Sequence, residues 1–402
     1  MKILFLCQRV PYPPTKGEKI RAYHHLTQLA RRHEVHLACL ADKGVDEEHV
    51  AYLRQRCASV DVVYRSPWGA RILALAAIVT GRPLSVAAFA SRELRRLVGE
   101  RLRVSRPDLV FAYSSAMAPY AEGIDGMPRA IDFVDADSEK WRSYGRVRPF
   151  PQSALYALEA ERLACYEGRV ATDFDASFFV SDAEAKIVQR RTSRKDVRVL
   201  PMGVDLEYFQ PIPDREPPRA PRIVFTGVMG YYPNVDAATY FARDVLPLIR
   251  ASVPEARFLI VGRDPAAEVR RLGRLPGVEV TGTVPDVRPY LAEAAMAVAP
   301  FRIARGVQSK VLEAMASGLP VVGTRLAFQG LMAREEDGVR MADTPEALAQ
   351  VSAALLLDAT SQRSLGRAAR LYVERHHHWE RLGEQLDRIL SALVAPPART
   401  GA

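Results

Sequence analysis

The sequence predicts an α/β protein of two domains, each a parallel sheet covered by helices, and three observations carry that expectation. Short β-branched runs alternate with segments of helical period; the alternation restarts after a proline-rich stretch; and 402 residues, at roughly 100–200 per domain, allow two or three cores. In the first half, strands are read at KILFLCQ, EVHLACL, VDVVYR, DLVFAYS, AIDFVD and DASFFVS, with helices over 17–31, 46–57 and 152–171 among them. Residues Pro201 to Pro221 then hold six of the 28 prolines, and proline lacks the amide donor that a helix or central strand uses, so this stretch reads as a linker. The second half restarts with RIVFTG, RFLIVG, VEVTG, MAVAPF and PVVGT. After Ala342 comes a long helical tail in which Leu382, Leu386, Ile389 and Leu393 keep helical spacing, and APPARTGA reads as frayed. The expected bounds are a first domain over 1–200, a linker over 201–221, a second domain over 222–375, and a C-terminal helix with its tail over 376–402.

Composition narrows the function classes. With 48% apolar and 26% charged residues this is ordinary globular material, and the formal charge of +9 admits acidic partners: nucleic acid, anionic lipid headgroups or phosphorylated small molecules. The stretch SRELRRLVGERLRVSR, residues 91–106, has six Arg against two Glu around Leu94, Leu97, Val98 and Leu102; it suits either a basic amphipathic helix on an anionic surface or a solvated helix face beside a core. Cys7, Cys39, Cys57 and Cys165 are widely spaced without metal-ligand patterning, as buried free thiols of a reducing compartment would be. MKILFLCQRVPYPP is too short in apolar residues for a signal peptide and reads as a first strand, and the apolar run from Ile72 to Val79 falls well short of the ~20 residues of a membrane span. These features point to a cytoplasmic protein, with a peripheral position on the inner membrane as the further expectation. No motif of a nucleic-acid module is present, and the Pro-rich first loop excludes the Gly-x-Gly-x-x-Gly of a dinucleotide oxidoreductase. Taken as neighbours on one helix, His376 to His378 point apart and cannot share a metal.

The chemistry concentrates in RGVQSKVLEAMASGLPVVGT, residues 305–324. A strand ends in a loop through Arg305, Gly306, Val307 and Gln308, a helix begins near Ser309 as its N-cap, and Gly318 with Pro320 ends it. A helix N-terminus at the carboxyl edge of a parallel sheet presents free amides to an anion, a diphosphate above all. Lys310 adds a point charge, Gly306 lets the backbone approach, and Glu313, on the same helix face one turn deeper, can accept hydrogen bonds from two sugar hydroxyls. A surface ion pair on a routine helix stands beside that reading as the alternative.

The string LEAMASGLPVVGT behind a basic, glycine-containing loop resembles the donor-site motif of the retaining nucleotide-sugar glycosyltransferases of family 4, whose fold is GT-B. FFVSDAEAKIV, VRVLPMGVDLEYFQP and FTGVMGYYPNVDA resemble further segments of that family in the same order. PYPPTKGEKIRAYHHLTQLARRHEVHL, IDFVDADSEKW and GVQSKVLEAMASGLPVV are together similar to the sugar transferases that accompany bacterial PEP-CTERM/exosortase systems, and the resemblance runs over about residues 1–380. It implies two Rossmann-like doubly wound domains facing across a cleft, with the C-terminal helix returning to the first. It implies a nucleotide-sugar donor on the second domain, a glycan or lipid-linked acceptor on the first, retaining transfer, a product in an exopolysaccharide, and no cofactor, metal or nucleic acid.

Residue by residue, the resemblance places Gly17, Gly227, Arg263, Val284, Gly306, Gln308, Ser309 and Glu313 in donor binding. Glu313 matches the second glutamate of the family's Glu-x7-Glu motif, which holds the ribose, whereas the first glutamate falls on Arg305. The family's Arg and Lys after the first strand of this domain are also missing, since Gly227 is followed by VMGYYPN; Arg305 and Lys310 are expected to supply that charge and to stabilise the leaving diphosphate. Met202 replaces an Asn, and Gly230 stands where the narrower group often has Asp. Gly17 matches the glycine loop of GT-B enzymes, with a plain strand-to-helix turn as the alternative. IDFVDADSEKW sets Asp132, Asp135 and Asp137 at a sheet edge before a helix at Ser138. Asp135 is the expected acceptor-side base, Asp137 and Lys140 lie on the acceptor side, and Asp137 or Ser138 is expected to cap the helix. A catalytically silent sugar-nucleotide binder and a GT-B epimerase stay open as alternatives.

Overall fold

In the computed structural model, which describes residues 1–15, 17–42, 45–66, 68, 76–193, 196–211, 221–304 and 306–395, the chain forms two units: Met1–Pro201 together with the segment from Glu380, and Met202–Trp379. Helices of eight residues or more are numbered below.

Unit 1 holds a parallel sheet of β1 (Lys2–Cys7), β2 (Glu34–Ala41), β3 (Ser59–Tyr64), β4 (Leu109–Tyr113), β5 (Arg129–Val134), β6 (Ala176–Phe179) and β7 (Val197–Val199), in the order β3-β2-β1-β4-β5-β6-β7. Ile3, Leu4, Phe5 and Leu6 are all fully buried, because a parallel sheet is covered on both faces and its central strands read as unbroken apolar runs. Around it lie α1 (Gly17–Ala30), α2 (Glu47–Arg54), α3 (Arg92–Ser105), α4 (Asp137–Val147), α5 (Gln152–Asp173) and α6 (Asp182–Gln189). In α3 the Ser91 hydroxyl accepts from the Leu94 amide at 3.2 Å, and Leu94 and Val98 enter the core while Arg92, Arg95, Arg96 and Arg103 face solvent. Its apolar stripe is therefore packed on the core, as the second of the two readings has it, a solvated helix face beside a core.

Unit 2 repeats the plan with β8 (Arg222–Thr226), β9 (Arg257–Val261), β10 (Val278–Gly282), β11 (Met296–Ala299), β12 (Val321–Gly323) and β13 (Val339–Met341), all parallel, in the order β10-β9-β8-β11-β12-β13. Its helices are α7 (Tyr232–Tyr240), α8 (Ser309–Ala316), α9 (Pro345–Leu357) and α10 (Ala359–His376). The last helix, α11 (Trp379–Val394), clusters from Glu380 with unit 1, where Asp387 meets His33 at 2.5 Å and Gly383 packs on Gln28.

Three readings change. β7 and β13, three residues each, are too short for a period-two pattern to show. Of the proline-rich stretch, Pro201 belongs to unit 1, residues 212–220 lie outside the described residues, and the segment from Met202 to Pro211 is built into unit 2: Val204 bridges His378, and the Arg370 guanidinium donates to the Phe209 carbonyl at 2.6 Å. His376 to His378 are not neighbours on a helix. His376 ends α10, and the buried His377 donates from Nδ1 to the carbonyl of Met202 at 2.6 Å, its imidazole pushed down to about 4 by burial.

Candidate active site

In unit 2, β8 and β11 are sheet neighbours, with β9 and β10 on one side and β12 and β13 on the other. Strand order reverses between them, and doubly wound sheets open their ligand crevice at that point, beyond the carboxyl ends of the strands. Gly227 follows β8 with φ 153°, and a Cβ on it would lie 2.9 Å from Asn234 Nδ2 and 3.1 Å from Lys310 Cε. Lys310, delivered by the helix after β11, thus lies against the loop after β8. Gly262, at the end of β9, has φ 155°, and a Cβ there would collide with the Gly227 carbonyl oxygen. The same loop is tied to the next by Met229 N to Arg263 O at 2.8 Å and Ala266 N to Met229 O at 3.1 Å. A Cβ on Gly230 would meet the Asp264 carbonyl oxygen at 2.9 Å, so the backbone approaches closely at this glycine.

Arg263 and Val284 follow β9 and β10, half-buried along the same carboxyl edge. Gly306 has φ 61°, a left-handed turn into the helix, and its loop packs on Gly330, where no side chain would fit. The cap differs from expectation: Gln308 is the N-cap of α8 and Ser309 its first helical residue, with no side-chain cap bond. The first amides of α8 consequently stay available to a ligand. At the far end Gly318, φ 74°, donates to the Met315 carbonyl at 3.0 Å and closes the helix.

Lys310 Nζ reaches Gln308 Oε1 at 3.4 Å and lies 4.8 Å from the centroid of the Phe301 ring. Burial pushes its ammonium down to about 8 against the opposing pull of Glu313, and burial raises the Glu313 carboxyl while Lys310 draws it down. The two interact as the one-face spacing predicts. Asn234 is buried and donates from Nδ2 to the Val228 carbonyl at 2.9 Å, and its Oδ1 has no partner among the described residues. Asn234 lies inside FTGVMGYYPNVDA and Gly262 ends RFLIVG, yet the sequence assigns neither a role and does not mark Gly330; what they do rests on loops that only the folded sheet brings together. Arg305 lies outside the described residues.

In unit 1 the corresponding reversal falls between β1 and β4. Gly17 is the exposed first residue of α1, after the loop from β1, and the Ser114 hydroxyl beyond β4 donates to Gln8 Oε1 at 2.7 Å. Beside them Asp132 is fully buried: Arg21 Nε donates to its Oδ2 at 2.7 Å, His25 Nε2 lies 3.0 Å away, and the Val134 amide donates to Oδ1 at 2.9 Å. Arg21 also donates to the Pro201 carbonyl at 2.8 Å. Both carboxylate oxygens of Asp132 are thus engaged by groups of unit 1 itself.

Asp135 is different. Val134 adopts φ 72°, rare for a β-branched residue, and the strand register slips there, turning the chain off the sheet edge. One Asp135 carboxylate oxygen is buried with no partner among the described residues. Burial pushes its carboxyl up to about 7, the Glu184 and Asp137 carboxylates push the same way, and Arg21 and Lys140 pull back. Asp137 lies 3.9 Å from Lys140, both half-exposed. Neither Asp137 nor Ser138 caps α4; instead Glu184 accepts from the Ala136 amide at 2.8 Å and Glu167 from the Ser138 amide at 3.1 Å. Burial raises Glu167 to about 8 even with the Ser138 bonds drawing it down.

Among the described residues, no group of three His, Cys, Asp or Glu is arranged to hold a metal ion. Residues 220–358 match the family model described as Glycosyl transferases group 1. Two solved structures align with nearly the whole chain: sucrose-phosphate synthase from Thermosynechococcus elongatus (16% identity, 98% of this chain and 99% of the other, TM-score 0.69) and Anabaena HepE in complex with UDP (15%, 98% and 100%, 0.66). WaaG, a glycosyltransferase involved in lipopolysaccharide biosynthesis, aligns at 17% identity over 97% of this chain and 99% of its own, TM-score 0.65. No curated protein sequence matches. The fold is that of the GT-B glycosyltransferases. Within this GT-B chain the family match falls on unit 2, the unit that carries Lys310 and Glu313. Domain match and fold together support a glycosyltransferase.

Proposed function

We propose that the protein transfers a sugar, with retention, from a nucleotide-diphosphate donor held by unit 2 to a glycan or lipid-linked acceptor held by unit 1. One observation carries the reading: Lys310, in the first turn of α8, whose N-terminus has no side-chain cap, lies against Gly227 at the point where the strand order of unit 2 reverses. That combination suits a diphosphate, with Glu313 one turn along for the ribose. The UDP complex of HepE, a protein of the same fold, is consistent with it.

In this reading Lys310 and the helix amides stabilise charge on the departing diphosphate, and Arg305, outside the described residues, adds to it. Asp135, or the departing phosphate itself, takes the acceptor proton. No step is assigned to a metal. The resemblance to the PEP-CTERM-associated transferases supports family 4 and an exopolysaccharide product made at the cytoplasmic side of the membrane.

Incubation with UDP-, GDP- and ADP-sugars, with and without candidate acceptors, tests the proposal. Nucleotide release that requires acceptor is the expected result, and Lys310→Ala should lower kcat/KM by about 100-fold, the scale of one lost electrostatic contact to the leaving group. Epimer formation, or binding without turnover, would replace transfer by another activity.

A further inference from the structure

A cavity on unit 1 belongs to neither half of the proposed site. It encloses about 780 Å³ among the short helix Leu84–Ala87, the turn Ser115–Tyr120, the start of α3 and the middle of α5. Pro83, Val86, Ala116, Pro119 and Tyr120 make its lining apolar, while Arg82, Arg95, Arg162 and Arg169 stand around it against one carboxylate, Glu122. Glu122 is engaged by Arg169 at 3.1 Å. Arg95 lies over the Tyr120 ring and donates to the Pro119 carbonyl at 3.0 Å; Arg82 is exposed and in no ion pair among the described residues. Arg162 donates to the carbonyls of Ala77 and Ile78 at 3.1 and 3.0 Å, which holds that segment at the rim. There Ile78 is 38% and Val79 90% exposed.

Two chemistries therefore meet in one place. Guanidinium forks match phosphate oxygens, and exposed aliphatic side chains gain by leaving water. A nucleic acid or phosphopeptide would use the arginines and leave Val79 wet; an anionic bilayer uses both. We propose that this face of unit 1 docks on an anionic membrane, the rim arginines holding a phospholipid phosphate at the cavity and Ile78 and Val79 entering the interface. The inference rests on the membrane location put forward above and on no step of the reaction. Its test has no activity readout, so the two can fail separately.

Cys165 lines the cavity and is exposed, whereas Cys7, Cys39 and Cys57 are buried, so one thiol reports on occupancy. The full chain is floated with vesicles of phosphatidylcholine alone and of phosphatidylcholine with phosphatidylglycerol, and maleimide labelling of Cys165 is timed in each. Binding to the anionic vesicles only, released by salt, with slowed labelling, is the expected result. An arginine near such a surface contributes roughly fivefold in binding, so Arg82→Gln with Arg95→Gln should cost roughly 25-fold, and Val79→Asp should also weaken it. All three side chains are exposed, and an unchanged thermal transition confirms the fold of each variant. The proposal is overturned by equal binding to neutral vesicles, by no binding, or by folded variants that bind as well as the parent. Protection of Cys165 by inorganic phosphate as complete as that by vesicles would overturn it in favour of a free anion.

Discussion

At the residue scale, two titrating groups define the pH range in which the proposed reaction can run. Lys310 must be charged to hold a diphosphate, and its ammonium, lowered to about 8 by burial, is charged below that pH and neutral above it. Asp135 must be ionised to accept a proton, and its carboxyl, raised to about 7, is ionised only above that pH. The profile of kcat/KM should therefore rise through about 7 and fall beyond about 8. Asp135→Asn should remove the rising limb at reduced rate, and Lys310→Arg should carry the falling limb well upward, since a guanidinium stays charged. Identical profiles for parent and both variants would dismiss these assignments. Lys310 and Glu313 are legible in the sequence because a three-residue helical spacing settles which face they share. The burial that shifts Lys310 and Asp135 is not legible there, since it depends on what packs around them.

At the element scale, the proposed donor site depends on loops that only glycine can form, and α4 depends on caps lent by other helices. Gly262→Ala would drive a methyl group into the Gly227 carbonyl and strain a φ of 155°. It should abolish measurable donor binding and cost on the order of 3 kcal/mol of stability, which calorimetry with titrated nucleotide would detect. Glu184→Ala would leave the buried Ala136 amide without its acceptor. The expected loss is about 1–3 kcal/mol, read as a lower unfolding midpoint in denaturant with the slope unchanged. A variant as stable as the parent would show that water replaces the carboxylate. The sequence marks where α4 starts to within one residue, yet it points to Asp137 or Ser138 as the cap, since these are near in the chain. The side chains that cap it come from α5 and α6.

At the scale of the whole molecule, unit 1 is closed by a helix from the other end of the chain. Leu382, Leu386 and Leu390 of α11 are buried, and Asp387 pairs with His33. A chain ending at Trp379 loses those contacts, and at about 1.5–3 kcal/mol for each buried leucine the unit 1 transition in calorimetry should fall by more than about 5 °C. An unshifted transition would mean that α11 adds nothing to the unit. Much of this architecture is legible in the chain alone: two α/β units, their order, most strands, and the glycine-containing loop that leads into α8. Those features repeat over a few residues, as apolar runs, helical spacing, and glycine or proline where the chain must turn, so the sequence by itself determined them. The pairing of Arg21 with Asp132, 111 residues apart, the reach of Glu184 to Ala136, and the meeting of Lys310 with Gly227 leave no such periodic trace. Only the tertiary structure decided them, because which distant groups share a buried space follows from how the sheets and helices pack.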